Sequence, residues 1–191
     1  MILESSLTWG KHTDIISSKL NSLGCMICFL RPVLSLNVIK QIYFSYVHSV
    51  LSYSIIFWGN ASSSRTVFIA QKRIVRIIMH ARTNESCTTM FRTLGILTLY
   101  SQYIFSIIMF VVKNREIFTS NASIHNIDTR RKLDLHVDSV KLTKVKKGVY
   151  YSGIIIFNAL PISIKNMAHN IKKLKQKLKR FLLDKSFYSV K

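Results

Sequence analysis

The side chains able to do chemistry are scattered along this sequence, whereas its cations are gathered. The eight carboxylates, Glu4, Asp14, Glu85, Glu116, Asp128, Asp134, Asp138 and Asp184, include no adjacent pair of the kind that holds two metal ions for phosphoryl chemistry. There is no Gly-x-x-x-x-Gly-Lys phosphate loop and no Gly-x-Ser-x-Gly nucleophile elbow. Cys25-x-x-Cys28 has half of a zinc or redox spacing. It falls inside a helical pattern, with no second cysteine pair and no histidine at ligand distance, so two small core residues are the better reading. His125 and Asp128, within Ile124-His125-Asn126-Ile127-Asp128-Thr129-Arg130, stand close enough to be a base and its orienting carboxylate. A loop network in which Asp128 pairs with Arg130 or Arg131 demands less and is favoured. These readings assign no catalytic residue, no metal ligand and no cofactor.

The cations are organised. Lys72, Arg76 and His80 recur at i, i+4 and i+8, with Arg73 beside them, Arg65 before them and Arg82 after. Lys172, Lys173, Lys175, Lys177, Lys179 and Arg180 make a denser run near the end of the chain. Twenty-eight Lys and Arg oppose eight Asp and Glu, for a formal charge of +20. Such an excess bears on partners rather than on fold, and it points to nucleic acid first and an acidic membrane face second. A solvated face is the ordinary fate of a charged stripe. Here Glu85 is the only carboxylate between Asp14 and Glu116, which favours contact with phosphates. The expected nucleic-acid-binding residues are therefore Arg65, Lys72, Arg73, Arg76, His80, Arg82, Lys172, Lys173, Lys175 and Lys179. The second run also fits an anionic bilayer, a nuclear-import signal, or a helix packed with its lysines in water. No small-molecule substrate is expected.

The elements that position these residues read as mainly α. His12–Phe29 is helical, with Ile15, Ile16, Leu20, Leu23, Ile27 and Leu30 on the buried side, and Pro32 ends it. Leu36–Val50 repeats apolar residues at Ile39, Ile42, Tyr43, Tyr46, Val47 and Val50, as one helix face would. Thr66–Arg82 buries Ala70, Ile74, Ile77, Ile78 and Ala81 and carries the basic stripe outward. Cys87–Leu94 stops at Gly95, and Leu99–Phe118 is long and apolar, with Lys113 and Arg115 suited to its C-terminus. The pattern after Ser120 is polar and less regular, with one short strand expected. Val149–Ala159 fits either a strand or a short helix. Lys165–Lys185 closes as an amphipathic basic helix with Ile171, Leu174, Leu178, Phe181 and Leu182 on one face. Gln41–Ser64 and Thr93–Val112 lack charge and are long enough to cross about 30 Å of hydrocarbon. Their Gln, His, Ser and Gly content favours buried helices over membrane spans. The three cysteines suggest reduced thiols in an intracellular protein, nuclear or cytoplasmic.

Several blocks also carry a family resemblance. Tyr43, Tyr46, His48-Ser49, Leu51-Ser52-Tyr53-Ser54-Ile55-Ile56-Phe57-Trp58-Gly59-Asn60 and Ala70-Gln71-Lys72-Arg73-Ile74-Val75-Arg76-Ile77-Ile78 resemble the thumb of LINE-type, jockey-like non-LTR retrotransposon reverse transcriptases. Leu7-Thr8-Trp9-Gly10-Lys11-His12 resembles the segment after the polymerase palm, and Leu30-Arg31-Pro32 the linker into the thumb. Ile124–Arg130 and Lys147-Gly148-Val149-Tyr150-Tyr151-Ser152-Gly153 through Pro161 look like C-terminal signatures of that family. Thr13 departs from a usual hydrophobic residue, and Ser54 stands where glycine is common. The resemblance divides the chain into an end-of-palm remnant and linker helix (1–35), a thumb-like helical bundle (36–119) and a C-terminal region with a basic helix (120–191). It implies a non-catalytic part that grips template and primer through their backbones, the fingers and the acidic palm lying before Met1. The expectation from another class is a small basic membrane-associated protein with up to two apolar helices.

Overall fold

The computed structural model describes residues 1–4, 8–121 and 134–190, and these are mainly α-helical. The Ile124–Arg130 segment, with His125 and Asp128, lies outside the described residues. The chain forms two compact units, Met1–Tyr103 with Leu182–Lys191, and Ile104–Phe181.

The first unit contains α1 (Gly10–Leu30), α2 (Leu36–Ile42), a π-helical turn (Tyr43–Val47), α3 (His48–Ser52), α4 (Ile55–Trp58), α5 (Ser64–Met79) and α6 (Thr88–Leu94). It also holds the start of α7 (Leu99–Lys113). α1 and α5 run side by side in the same direction, the central packing of this unit. Ser17 donates to Thr66 Oγ1 at 3.4 Å near one end, and Arg31 Nε donates to the Ile78 carbonyl at 2.8 Å near the other. Between them Gly24 lets the two backbones approach, since a Cβ there would lie 3.3 Å from Ile74 Cγ1. The buried line of α1 is His12, Thr13, Ile16, Leu20, Gly24 and Ile27. Ile15, expected inside, is exposed because it sits about 100° around the helix from Ile16. Cys25 and Cys28, expected as core residues, are both exposed.

The π turn corrects the second expected helix. Ile39, Tyr43, Val47, Leu51 and Ile55 are all buried, at strict four-residue spacing. In a continuous α-helix that spacing drifts about 40° per step, so the line would leave the core within three turns. The wider π turn at Tyr43–Val47 resets the phase. As a result Tyr46, expected inside, is exposed, and Ile42 and Val50 are only half-buried. The chain then breaks at Ser54, whose left-handed backbone (φ 53°) starts α4. Trp58 is fully buried, donates its Nε1–H to the Tyr53 carbonyl at 3.0 Å, and meets the His12 ring edge-on at 6.0 Å. Burial pushes the His12 imidazole pKa down.

α5 is locked by a buried amide. Gln71 donates from Nε2 to Tyr43 Oη at 3.0 Å and to the Leu97 carbonyl at 2.9 Å, and its Oε1 accepts the Leu99 N–H at 2.8 Å. Thr98 then caps α7 by accepting the Ser101 N–H at 3.1 Å.

The second unit carries the rest of α7, a 3₁₀ turn (Arg115–Ile117), α8 (Thr143–Lys146), α9 (Val149–Asn158), α10 (Ile162–Lys165) and most of α11 (Ile171–Lys185). Val149–Ala159, undecided in the sequence, is helical through Asn158. In place of the expected strand, the described residues hold a single bridge between Ser120 and Leu135. Asn158 reinforces it with its amide, accepting the Leu135 N–H and donating to the Leu135 carbonyl, both at 2.8 Å. Lys165 pairs with Asp134 at 2.7 Å and donates to the Asn158 carbonyl at 2.6 Å. Ile171, placed in the sequence on the buried side of the last helix, is exposed, while Leu174, Leu178 and Leu182 are buried.

Among the described residues no single helix is long and apolar enough to cross a membrane. Gln41–Ser64 is interrupted at Tyr53–Ser54 and again after Trp58, and Thr93–Val112 bends by 54° between α6 and α7.

Gly59 supplies a test of the packing. Its φ of −62° is ordinary, so its role is space: a Cβ would stand 2.8 Å from the Ile55 carbonyl oxygen and 2.5 Å from Tyr103 Cδ2. Gly59→Ala is expected to lower stability by about 1–3 kcal/mol, seen as a lower urea midpoint with an unchanged slope. An unchanged midpoint would mean that the Tyr103 ring and the Ile55 backbone both give way without cost.

Candidate nucleic-acid interface

α5 separates its residues cleanly. Val67, Phe68, Ala70, Gln71, Ile74, Val75 and Ile78 face inward, leaving Arg65, Ile69, Arg73 and His80 exposed and Lys72 and Arg76 half-buried. The helix ends at Met79, three residues short of the expected Arg82. The reason is local. His80 adopts the left-handed conformation (φ 52°), its N–H donates to the Ile77 carbonyl at 3.3 Å, and the Ala81 N–H donates to the Arg76 carbonyl at 3.0 Å. This pair of bonds is a Schellman ending, usually made by glycine. Ala81 thereby leaves the helix and is only half-buried.

Two arginines are fixed by backbone carbonyls beside this ending. Arg31, from the end of α1, holds the Ile78 carbonyl with Nε at 2.8 Å. Arg76 donates from Nε and Nη2 to the Glu85 carbonyl at 3.1 and 2.9 Å, pinning the turn after α5. That turn is closed by Glu85 Oε1, which accepts the Arg82 N–H at 3.0 Å. Arg73 reaches across α1 and donates from Nη1 to Asn21 Oδ1 at 3.3 Å.

Together Arg31, Arg73, Arg76 and His80 line one groove of about 610 Å³, whose apolar part is Pro32, Ile69, Ile77 and Ala81. None of Arg31, Arg65, Arg73, Arg76 and Arg82 pairs with a carboxylate among the described residues. Each guanidinium has five N–H groups, so the bonds just given leave donors over on Arg31, Arg73 and Arg76.

The expected stripe is only partly one surface. Lys72 does not line the groove; its ammonium sits 5.0 Å from the Phe68 ring centre and 6.0 Å from that of Tyr188. The Lys72 carbonyl also accepts the Cys87 thiol, whose pKa burial pushes up against the opposing pull of Arg76 and Lys72. Arg65 and Arg82 are exposed but lie outside the groove lining. Arg31 is the residue that the sequence reading missed. Its only local signal is Pro32, which marks a helix end; its nearness to α5 follows from packing between segments more than forty residues apart.

Lys172, Lys173, Lys175 and Lys179 belong to the second unit and form a separate candidate surface. All four are exposed on α11, with Leu174 and Leu178 buried on the opposite side. Asn170 Oδ1 accepts the Lys173 N–H at 3.1 Å and so anchors the first turn. Among the described residues no three His, Cys, Asp or Glu side chains gather as metal ligands.

The Arg31 bond makes a measurable claim. Arg31→Gln is expected to cost roughly 0.5–1.5 kcal/mol in urea unfolding, because the Ile78 carbonyl loses its side-chain partner at the close of α5. Full stability in that variant would show that water replaces the guanidinium without cost.

No family model matches the chain, nor does any curated protein or any solved structure.

Proposed function

We propose that the chain is a nucleic-acid-binding module without chemistry of its own, holding phosphate backbones through the groove and outer face of α5. The observation that carries this reading is the gathering of Arg31, Arg73, Arg76 and His80 around one groove where, among the described residues, no carboxylate pairs with the three arginines. Guanidinium groups without a carboxylate partner, Arg31 and Arg76 held by backbone carbonyls and Arg73 by the Asn21 side chain, are suited to phosphate oxygens, which they can meet with their remaining N–H groups. Contacts of this kind position a duplex without reading its sequence.

The resemblance to the thumb of LINE-type reverse transcriptases supports the same reading. Ser54, standing where that family commonly has glycine, is at a left-handed position, where a glycine would meet no steric penalty. Gly59, within the resembling Trp58-Gly59-Asn60 block, is a position with no room for a Cβ. On this reading the fragment grips template and primer while the polymerase chemistry belongs to fingers and palm, and its working compartment is nuclear or cytoplasmic.

The test is the salt dependence of duplex binding. Replacing Arg65 and Arg73 together by Gln should weaken binding on every sequence alike and lower the slope of log K against log salt by roughly one unit per lost phosphate contact. An unchanged slope would assign both residues to a solvated face, and the same result after Arg31 and Arg76 are also replaced would overturn the proposal. The purified chain is also expected to extend no primer with any divalent metal. Extension that survives rigorous purification would overturn the non-catalytic part.

A membrane-associated protein is the second reading, and the bent α6–α7 pair is the observation that favours it. Against it, Phe91, Leu94, Leu99, Ile107, Ile108 and Val111 on that pair are buried in the folded chain. Flotation with anionic vesicles at physiological salt would support this alternative only if it persisted after Lys172, Lys173, Lys175 and Lys179 were neutralised.

A further inference from the structure

We propose that residues 186–190 form a strap whose Tyr188 competes with a polyanion for Lys72, so that binding along α5 loosens the strap and the docked strap weakens binding. The inference rests on the binding role proposed above and adds a regulation to it. The strap and the segments it touches belong to the first unit.

The strap is anchored through backbone atoms. Ser186, left-handed at φ 46° and 5% exposed, follows the end of α11. Its N–H donates to the Leu182 carbonyl at 2.9 Å and its hydroxyl to the Leu183 carbonyl at 2.7 Å. The Phe187 carbonyl then accepts the Thr98 hydroxyl at 2.6 Å, just before α7. Tyr188 is held less firmly. Its ring meets that of Phe68 edge-on at 5.1 Å, its hydroxyl accepts from Thr88 Oγ1 at 3.2 Å, and 39% of its surface stays exposed.

Lys72 shares these rings, with its ammonium 5.0 Å from the Phe68 centre and 6.0 Å from that of Tyr188. On α5 it stands next to Arg73 and one turn before Arg76, so it is the cation nearest in sequence to the carboxylate-free arginines. Its flexible stem lets the ammonium leave the rings without any movement of the helix. A ring face attracts an ammonium only through its quadrupole, whereas a phosphate offers a full charge and hydrogen-bond acceptors. A duplex lying on α5 therefore draws Lys72 away from Tyr188, and the strap loses one of the contacts that keep that ring in place. The coupling is reciprocal: the factor by which the duplex loosens the strap is the factor by which the docked strap weakens the duplex.

The experiment uses the whole chain labelled with fluorotyrosine and a duplex of arbitrary sequence. The Tyr188 fluorine resonance is identified by its loss in Tyr188→Phe. Saturation with the duplex should move that resonance toward the position of a solvent-exposed tyrosine. Tyr188→Leu keeps apolar cover over Phe68 but offers no ring face. It should bind the duplex roughly two- to fivefold tighter, the fold-change of one exposed ring–cation contact. Adding Lys72→Gln to Tyr188→Leu should remove that gain. Should Tyr188→Leu unfold, the resonance in the unaltered chain still decides. A Tyr188 resonance that stays in place at saturation, or equal affinities of Tyr188→Leu and the unaltered chain, would overturn the inference and leave the binding role intact. Absence of duplex binding by the unaltered chain would overturn the proposed function and the inference together.

Discussion

The first unit depends on one buried amide. Gln71 is 1% exposed and spends its side chain on three segments: the phenol of Tyr43, the Leu97 carbonyl and the Leu99 N–H. A buried amide left without partners costs about 1–3 kcal/mol, so an alternative rotation of α5 is penalised unless it rebuilds all three bonds. Hydrophobic contacts alone do not discriminate so sharply, because Ile, Val and Phe tolerate small rotations of a helix. Gln71 therefore fixes the angular setting of α5, and with it which residues of that helix face outward. Tyr43 shares the constraint. Its phenol pKa is pushed far up by burial, with the Gln71 bond pulling weakly the other way, so it remains neutral at any ordinary pH.

From that setting the groove follows. Once Gln71 and Ile74 point inward, Arg73 and Arg76 must emerge on either side of the outer face. Ile77 then falls between them and the end of α1. The α1–α5 approach at Gly24 brings Arg31 to the same place, where it closes the last turn of α5. His80 completes the arrangement by taking a left-handed backbone that costs a non-glycine residue roughly 1–2 kcal/mol. Asparagine, aspartate and histidine accept this conformation more readily than other side chains do. A stable ending would have been simpler with glycine, as Gly95 (φ 67°) provides for α6. Histidine at this position keeps an imidazole ring on the groove.

How much of this was legible in the sequence follows from where each signal resides. The helices were readable because period and breaker are local: Pro32 after α1, Gly95 after α6, and the basic face of α5 each lie within a few residues of the feature they announce. The π turn was harder to see. Ile39, Tyr43, Val47 and Leu51 show their four-residue spacing plainly, yet an α-helical face also accommodates Ile42 and Tyr46, so both faces look continuous. Gln71 gave no signal, since one glutamine on an amphipathic helix is ordinarily solvated. Its partners Leu97 and Leu99 offer only backbone atoms, and side-chain types do not encode those bonds. The candidate interface divides in the same way. Arg73, Arg76 and His80 could be gathered by helical spacing, whereas Arg31 belongs to them only through tertiary packing. Lys72 has the right spacing, but the rings of Phe68 and Tyr188 hold it elsewhere.

The distribution of lysine and arginine adds a final argument about how the charge is used. The groove holds three arginines and no lysine, while the α11 face presents Lys172, Lys173, Lys175, Lys177 and Lys179 with one arginine, Arg180. A lysine ammonium is strongly hydrated on a flexible stem and acts as a mobile point charge. Arranged along α11, such charges raise the local potential and speed encounter with a polyanion without fixing its geometry. A guanidinium held by a carbonyl has already lost much of its freedom and presents its remaining donors in a set plane. The first arrangement suits attraction over distance, and the second suits a ligand that must be seated. A chain whose cations served solubility alone would have no reason to separate the two, nor to spend two arginines on the Ile78 and Glu85 carbonyls at the border of one groove.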